Sequence, residues 1–202
     1  MPDDDIHFGP LGENVVHVCV DMQRMFEEET EWHLPWMARV PPAIVALCEA
    51  HPERTVFTRF LPAKEPGVGH GTWRRYYERY ASMTLDRLGE EMVALSPALQ
   101  PFVPPATVHD KWIYSPWLGS DLDRTLKARG VDTLIVSGGE TDVCVLTTVL
   151  GAIDLGYRVI VATDAICSSA DRPHDAAVDL YHDRYGMQVE TADVATILRH
   201  WR

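Results

Sequence analysis

One stretch constrains the fold more than any other. Val131-Asp-Thr-Leu-Ile-Val-Ser137 is an apolar, β-branched run that stops on Gly138-Gly139. Beyond it the period changes: Cys144, Val145, Val149 and Ile153 fall on one face of a helix that ends at Gly156. Tyr157-Arg-Val-Ile-Val-Ala-Thr163 then returns to strand character. Thr141 or Asp142 is placed to cap the helix between them. Strand, glycine turn, helix and strand in this order form a crossover unit, which joins neighbouring parallel strands of one sheet.

The same alternation runs through the rest of the chain. Asn14-Val-Val-His-Val-Cys-Val20 reads as a first strand ending on Asp21, 42–49 as a helix, and Arg54-Thr-Val-Phe-Thr-Arg59 as a second strand stopped by Pro62. The segment from Leu61 to Gly71 is a loop, and 73–80 is a short helix carrying Trp73, Tyr76, Tyr77 and Tyr80. Thr107-Val-His109 starts a third strand that leads to Lys111; a helix over 119–129 follows. A helix over 173–185, a short strand near 187–190 and an amphipathic helix over 192–201 complete the chain. Repeated strand and helix units predict an α/β fold with a parallel sheet covered on both faces. The expectation is a single domain over 1–202, with 1–12 as a flexible N-terminal arm.

Composition excludes several classes. With 202 residues, 46% of them hydrophobic and 24% charged, the chain falls in the ordinary globular range. A net charge of -12 leaves no basic face for nucleic acid; Arg74, Arg75 and Arg79 read as a solvated helix face or as a pocket for an anion. No run reaches the roughly 18 apolar residues of a membrane span, and the acidic start is unlike a signal peptide. A cytoplasmic protein is expected. Its four cysteines, Cys19, Cys48, Cys144 and Cys167, show no close pairing and are expected as free thiols.

In open parallel sheets, ligands bind beyond the carboxyl ends of the strands. Asp21, Lys111 and Cys144 all follow such ends, so all three can face one crevice. A helix N-terminus and a lysine favour a thiolate, a carboxylate can take and return a proton, and the glycine turn lets backbone N–H groups converge on an oxyanion. From spacing alone, Asp21 also fits a helix cap, Lys111 a surface charge and Cys144 helix packing.

Val18-Cys-Val-Asp21-Met-Gln, Lys111 and Ser137-Gly-Gly-Glu-Thr-Asp-Val-Cys144-Val together resemble the isochorismatase-like cysteine hydrolases, a family that includes nicotinamidases and N-carbamoylsarcosine amidase. The likeness continues through Gly151-Ala-Ile-Asp-Leu-Gly-Tyr-Arg-Val and Thr163-Asp-Ala. It implies a three-layer α/β/α sandwich around a six-stranded, mainly parallel, doubly wound sheet. It also implies an Asp21-Lys111-Cys144 triad, a covalent acyl-enzyme on Cys144, and a cis peptide between Gly139 and Glu140 that aims the N–H groups of Glu140 and Cys144 at the oxyanion. A homodimer or homotetramer follows from the same resemblance, with the Trp-rich segment 31–40 as an interface.

Departures from the family pattern bear on the substrate. Where nicotinamidases carry an Asp-x-His metal pair, this chain has Thr58-Arg59-Phe60, so no metal and no other cofactor is expected. Cys144 favours C–N over vinyl-ether hydrolysis. Phe26, Arg59, Trp73, Tyr77, Trp112 and Trp117 are the expected pocket residues for a small-molecule substrate, with packing as the alternative for the aromatic ones and structural ion pairing for Arg59. The Glu140 side chain points either into a buried polar network or toward the pocket. Competing readings are an isochorismatase-type vinyl-ether hydrolase, a non-catalytic binding member of the fold, and a thiol sensor.

Overall fold

The computed structural model describes residues 6–201. Six strands form one sheet: β1 Val15–Val20, β2 Thr55–Phe60, β3 Thr107–Lys111, β4 Thr133–Gly139, β5 Arg158–Cys167 and β6 Val189–Ala192. Their order is β3-β2-β1-β4-β5-β6, and every adjacent pair is parallel rather than merely most of them. The longer helices are α1 Pro41–Ala50, α2 Thr72–Arg79, α3 Leu122–Ala128, α4 Leu146–Asp154, α5 Asp171–Asp183 and α6 Val194–His200.

Strand alternation divides the core in two. Val15 and Cys19 of β1, Ile135 of β4 and Ile160 and Ala162 of β5 pack with Ile44, Leu47 and Cys48 of α1 and Ile197 of α6 on one face. Val16, Val18 and Val20, Leu134 and Val136, and Val159 and Val161 meet Leu126 of α3, Val149 of α4 and Tyr181 of α5 on the other. Both faces are thus covered, which is why β1 and β4 read as unbroken apolar runs. A third cluster beyond the β2 end joins Met25, Phe60, Tyr77, Met83, Met92 and Val93.

The chain leaves β1 toward β2 and β3, then crosses back to place β4 on the other side of β1. The β1–β4 junction is therefore the switch point at which such sheets open a crevice. Gly138 lets the two strands close up there. Its φ is +102°, and a Cβ would sit 2.1 Å from the Val20 carbonyl oxygen.

Two expectations change at this level. Of the arm predicted over 1–12, residues 1–5 lie outside the described residues, while the following stretch is docked. The buried Glu190 carboxylate accepts from the backbone N–H groups of His7 and Phe8 at 2.6 and 2.9 Å, Arg158 donates to the Gly9 carbonyl at 2.9 Å, and Leu11 is buried beside its bridge partner Trp201. β5 extends past Thr163 to Cys167 because Asp164 faces outward and accepts from Val194 N–H at the start of α6, at 2.9 Å. In segment 31–40, Leu34 and Met37 are buried, while Trp36 is half-buried and lies tilted against His174 at 4.7 Å between ring centroids.

No helix among the described residues is long and apolar enough to cross a membrane.

Candidate active site

Asp21 is the residue at which β1 stops. Its φ of +49° is unusual for a residue with a side chain, although Asp tolerates the left-handed region better than most. Its N–H still donates to β2 at the Thr58 carbonyl, 3.2 Å away. The Thr58 hydroxyl donates to Asp21 Oδ1 at 2.7 Å, which fixes the carboxylate. Lys111, the last residue of β3, crosses β2 over the Phe60 ring, its Nζ 5.2 Å from the ring centroid, and reaches Asp21 Oδ2 at 2.6 Å. Only 1% of either side chain is exposed. The same ammonium donates to the carbonyls of Ile113 and Tyr114 at 3.1 and 3.0 Å, and to Cys144 Sγ at 3.4 Å. The three residues that follow strand ends are therefore brought together.

Cys144 lies in a π turn, Thr141–Val145, that precedes α4. The predicted caps serve elsewhere. Thr141 donates its hydroxyl to the Cys167 carbonyl at 2.9 Å, and Asp142 accepts from Ser168 Oγ at 2.5 Å, so both tie the turn to the end of β5. π turns are wider than α turns and recur at functional sites. The peptide between Gly139 and Glu140 is cis. The Glu140 carbonyl accepts from Val143 and Val145 N–H, each at 3.0 Å.

Electrostatics work against a resting thiolate. Burial pushes the Cys144 thiol well above its usual range, the Asp21 carboxylate pushes it the same way, and Lys111 offsets only part of this. Burial alone would lower Lys111, but Asp21 and Cys144 outweigh it and hold the ammonium above its ordinary value. Burial and Asp21 thus favour the protonated form of a thiol that lies beside the buried Lys111–Asp21 contact.

A cavity of about 300 Å³ opens over Cys144. Phe26, Trp32, Phe60, Tyr76, Tyr80 and Tyr114 supply its aromatic wall. Glu31, His33, Glu140 and Ser169 supply polar groups. Glu140 does line the cavity: its Oε1 accepts from Ser169 N–H at 3.1 Å and from the Ser169 hydroxyl.

Of the expected pocket residues, Phe26 lies on this wall and five do not. Arg59 is a structural ion pair, forked onto Asp110 at 2.7 and 2.9 Å. Trp73 and Tyr77 stand behind the wall, packed on Tyr76 at 5.3 and 5.5 Å between ring centroids. Trp112 points outward and is 58% exposed. Trp117 covers Gly151 of α4, where a Cβ would lie 2.2 Å from the indole, stacks on Tyr157, and donates to the Thr148 carbonyl at 2.9 Å. Arg74 and Arg75 are exposed on α2.

Sequence reasoning overlooked Gln23. Its amide donates to the carbonyls of Phe60 and Val93 at 3.0 and 2.8 Å and accepts from Phe60 N–H at 2.7 Å. This buried side chain clasps the segment after β1 to the end of β2, setting Asp21 against Thr58. A polar residue two positions past a buried strand was the available signal. The position of the Asp-x-His pair of nicotinamidases does not fit a metal: Thr58 is bonded to Asp21, Arg59 to Asp110, and Phe60 lies under Lys111. Among the described residues, no three His, Cys, Asp or Glu side chains are grouped to hold one.

This fold and site define a class of doubly wound α/β proteins with a buried carboxylate, lysine and cysteine at the switch point. Residues 15–193 match the isochorismatase domain model, and the chain belongs to the isochorismatase family. It is 34% identical over 98 residues to the isochorismatase family protein YwoC of Bacillus subtilis, covering 46% of this chain and 52% of that one. To the nicotinamidase of Escherichia coli it is 45% identical over 58 residues, 29% of this chain and 27% of that one. The chain thus spans about half the length of the first relative and about a quarter of the second. Among solved structures, a cysteine hydrolase from Pseudomonas syringae superposes with a TM-score of 0.82 at 24% identity, covering 99% of this chain and 98% of that one.

Proposed function

We propose that this chain is a cysteine hydrolase that cleaves the C–N bond of a small amide, ureide or carbamoyl compound. The observation that carries the reading is the contact of Lys111 Nζ with both Asp21 and Cys144 Sγ under a cavity of small-molecule size. Membership of a family with a nicotinamidase relative supports it.

In the proposed cycle the neutral thiol does not ionise ahead of the reaction. As Cys144 Sγ attacks the carbonyl carbon, its proton passes to Asp21, and Lys111 lies within reach of the charge that develops on sulfur. The N–H groups of Glu140 and Cys144 receive the carbonyl oxygen as it becomes tetrahedral. Asp21 returns the proton to the leaving nitrogen, the C–N bond breaks, and the acyl group stays on sulfur as a thioester. Water then attacks the thioester as Asp21 takes its proton, the C–S bond breaks, Asp21 returns the proton to Cys144 Sγ, and the carboxylic acid leaves. Thr58 and Gln23 hold Asp21 in position. The ring wall excludes bulk water and supplies contact area for a flat or apolar substrate.

Ammonia release from a panel of small primary amides, ureides and carbamates tests the reading. For any substrate found, Cys144→Ala and Asp21→Asn are expected to lower kcat by about 10³-fold or more. Full turnover by Cys144→Ala would remove covalent catalysis from the account.

A further inference from the structure

The charge around the cavity is one-sided. Among the described residues that line it, two are carboxylates, Glu31 and Glu140, and none is Lys or Arg. The cations nearby are engaged. Lys111 faces Asp21, two carbonyls and Cys144, which leaves none of its three N–H donors for a ligand anion. Arg59 is forked onto Asp110 outside the cavity. Arg79, at the rim, pairs with Glu31 at 3.1 Å and lies 4.8 Å over the Tyr80 ring, so it balances Glu31. Among the described residues Glu140 has no such cation, and its carboxylate accepts from the N–H and hydroxyl of Ser169. Its carboxylate therefore brings negative charge with no paired cation among the described residues to a cavity whose ring faces also attract cations. Trp32 stands 5.8 Å from Tyr76 and 5.9 Å from Tyr80, so three electron-rich rings are gathered on its wall.

We infer that the substrate is a small amide bearing a cationic group, an ammonium or its alkylated form, which lies against Glu140 and the Trp32 and Tyr76 rings while its carbonyl faces Cys144. Amides ending in a carboxylate are rejected, because that charge would meet Glu140 with no free cation to receive it. This inference rests on Cys144 being the reactive thiol of the proposed function. It adds a specificity role for the Glu140 side chain, distinct from that of its backbone N–H. The net charge of -12 also enriches cations near the whole surface, so the test has to isolate the local part.

The test uses methanethiosulfonates of similar size: a trimethylammonium-ethyl reagent, a sulfonatoethyl reagent and the neutral methyl reagent. The rate at Cys144 is followed by peptide-resolved mass spectrometry, with each reagent normalised to its rate with a free small thiol. The cationic reagent is expected to modify Cys144 at least ~10-fold faster than the anionic one, and Glu140→Gln to cut that ratio by about threefold or more. Because one substitution barely changes a charge of -12, such a drop reports the local carboxylate. In the unaltered protein, tetramethylammonium is expected to slow modification by the neutral reagent while acetate is not, a readout that survives if Glu140→Gln fails to fold. Equal rates, a faster anionic reagent, protection by acetate alone, or a ratio unmoved in folded Glu140→Gln would overturn the cationic substrate and leave the nucleophile intact. If none of the reagents modifies Cys144 even as pH is raised to favour its thiolate, the proposed function falls, and this inference with it.

Discussion

Lys111 and Cys144 touch, yet their energetic roles differ. The lysine and Asp21 are both buried, so removing one partner strands a charge in a low-dielectric site. Lys111→Met is expected to destabilise the protein by about 3–5 kcal/mol in urea unfolding, whereas Cys144→Ala, which removes a neutral thiol, should cost about 1–2 kcal/mol. Comparable losses would mean that the ion pair does not exist in solution. His17 supplies a second test. Fully buried between Ser137 and Thr55, it is lowered by burial from 6.5 to about 3. Its folded value lies below its unfolded one, so its neutral form contributes stability above pH 6.5. That contribution is lost as pH falls from 6.5 toward 3, because the unfolded chain takes up the proton first. His17→Asn should flatten the acid limb of stability against pH across that window. An unchanged limb would place the acid sensitivity elsewhere.

At the scale of elements, legibility followed apolar periodicity. β1, β4 and the turn after β4 could be read because both faces of these strands are buried, and the residues just past their ends inherited a functional position from the topology. Lys111 differs: it ends β3, an edge strand with exposed residues at its start, and only its place at the strand end pointed to the crevice. The cavity wall was not. For Arg59 both a pocket role and structural ion pairing were open because its partner Asp110 lies 51 residues away on β3, and Trp117 was read as pocket lining because Gly151, the gap it fills, belongs to α4. Tyr76 and Tyr77 are adjacent on α2, and packing decides which of them meets the cavity. The burial that pushes the Cys144 thiol upward is tertiary, so it could not be read from the helix start or the lysine. The β1–β4 junction gives a prediction at this scale. Gly138→Ala would drive a Cβ into the Val20 backbone at a φ of +102°, and is expected to cost more than about 2 kcal/mol and to lower activity by displacing Asp21 from the π turn. A variant as stable and active as the parent would show that the strands are not so closely apposed.

For the molecule as a whole, the start of the described chain closes the sheet on the side opposite the site. Leu11 is 3% exposed, next to Trp201, and the Glu190–Arg158 pair at 2.7 Å holds the preceding backbone. Leu11→Ala should therefore lower stability by about 2–3 kcal/mol without changing which amides are hydrolysed; a loss near zero would return this segment to the role of a flexible arm. The account stands or falls at the other end of the strands, on Cys144 becoming covalently acylated. Rapid quench of the protein with a substrate amide, followed by intact-mass and peptide analysis, measures that directly. The predicted result is the mass of the acyl group on Cys144, absent from Cys144→Ala and slow to form in Asp21→Asn. Turnover in which no acyl adduct ever appears on Cys144, with Cys144→Ala still active, would contradict it.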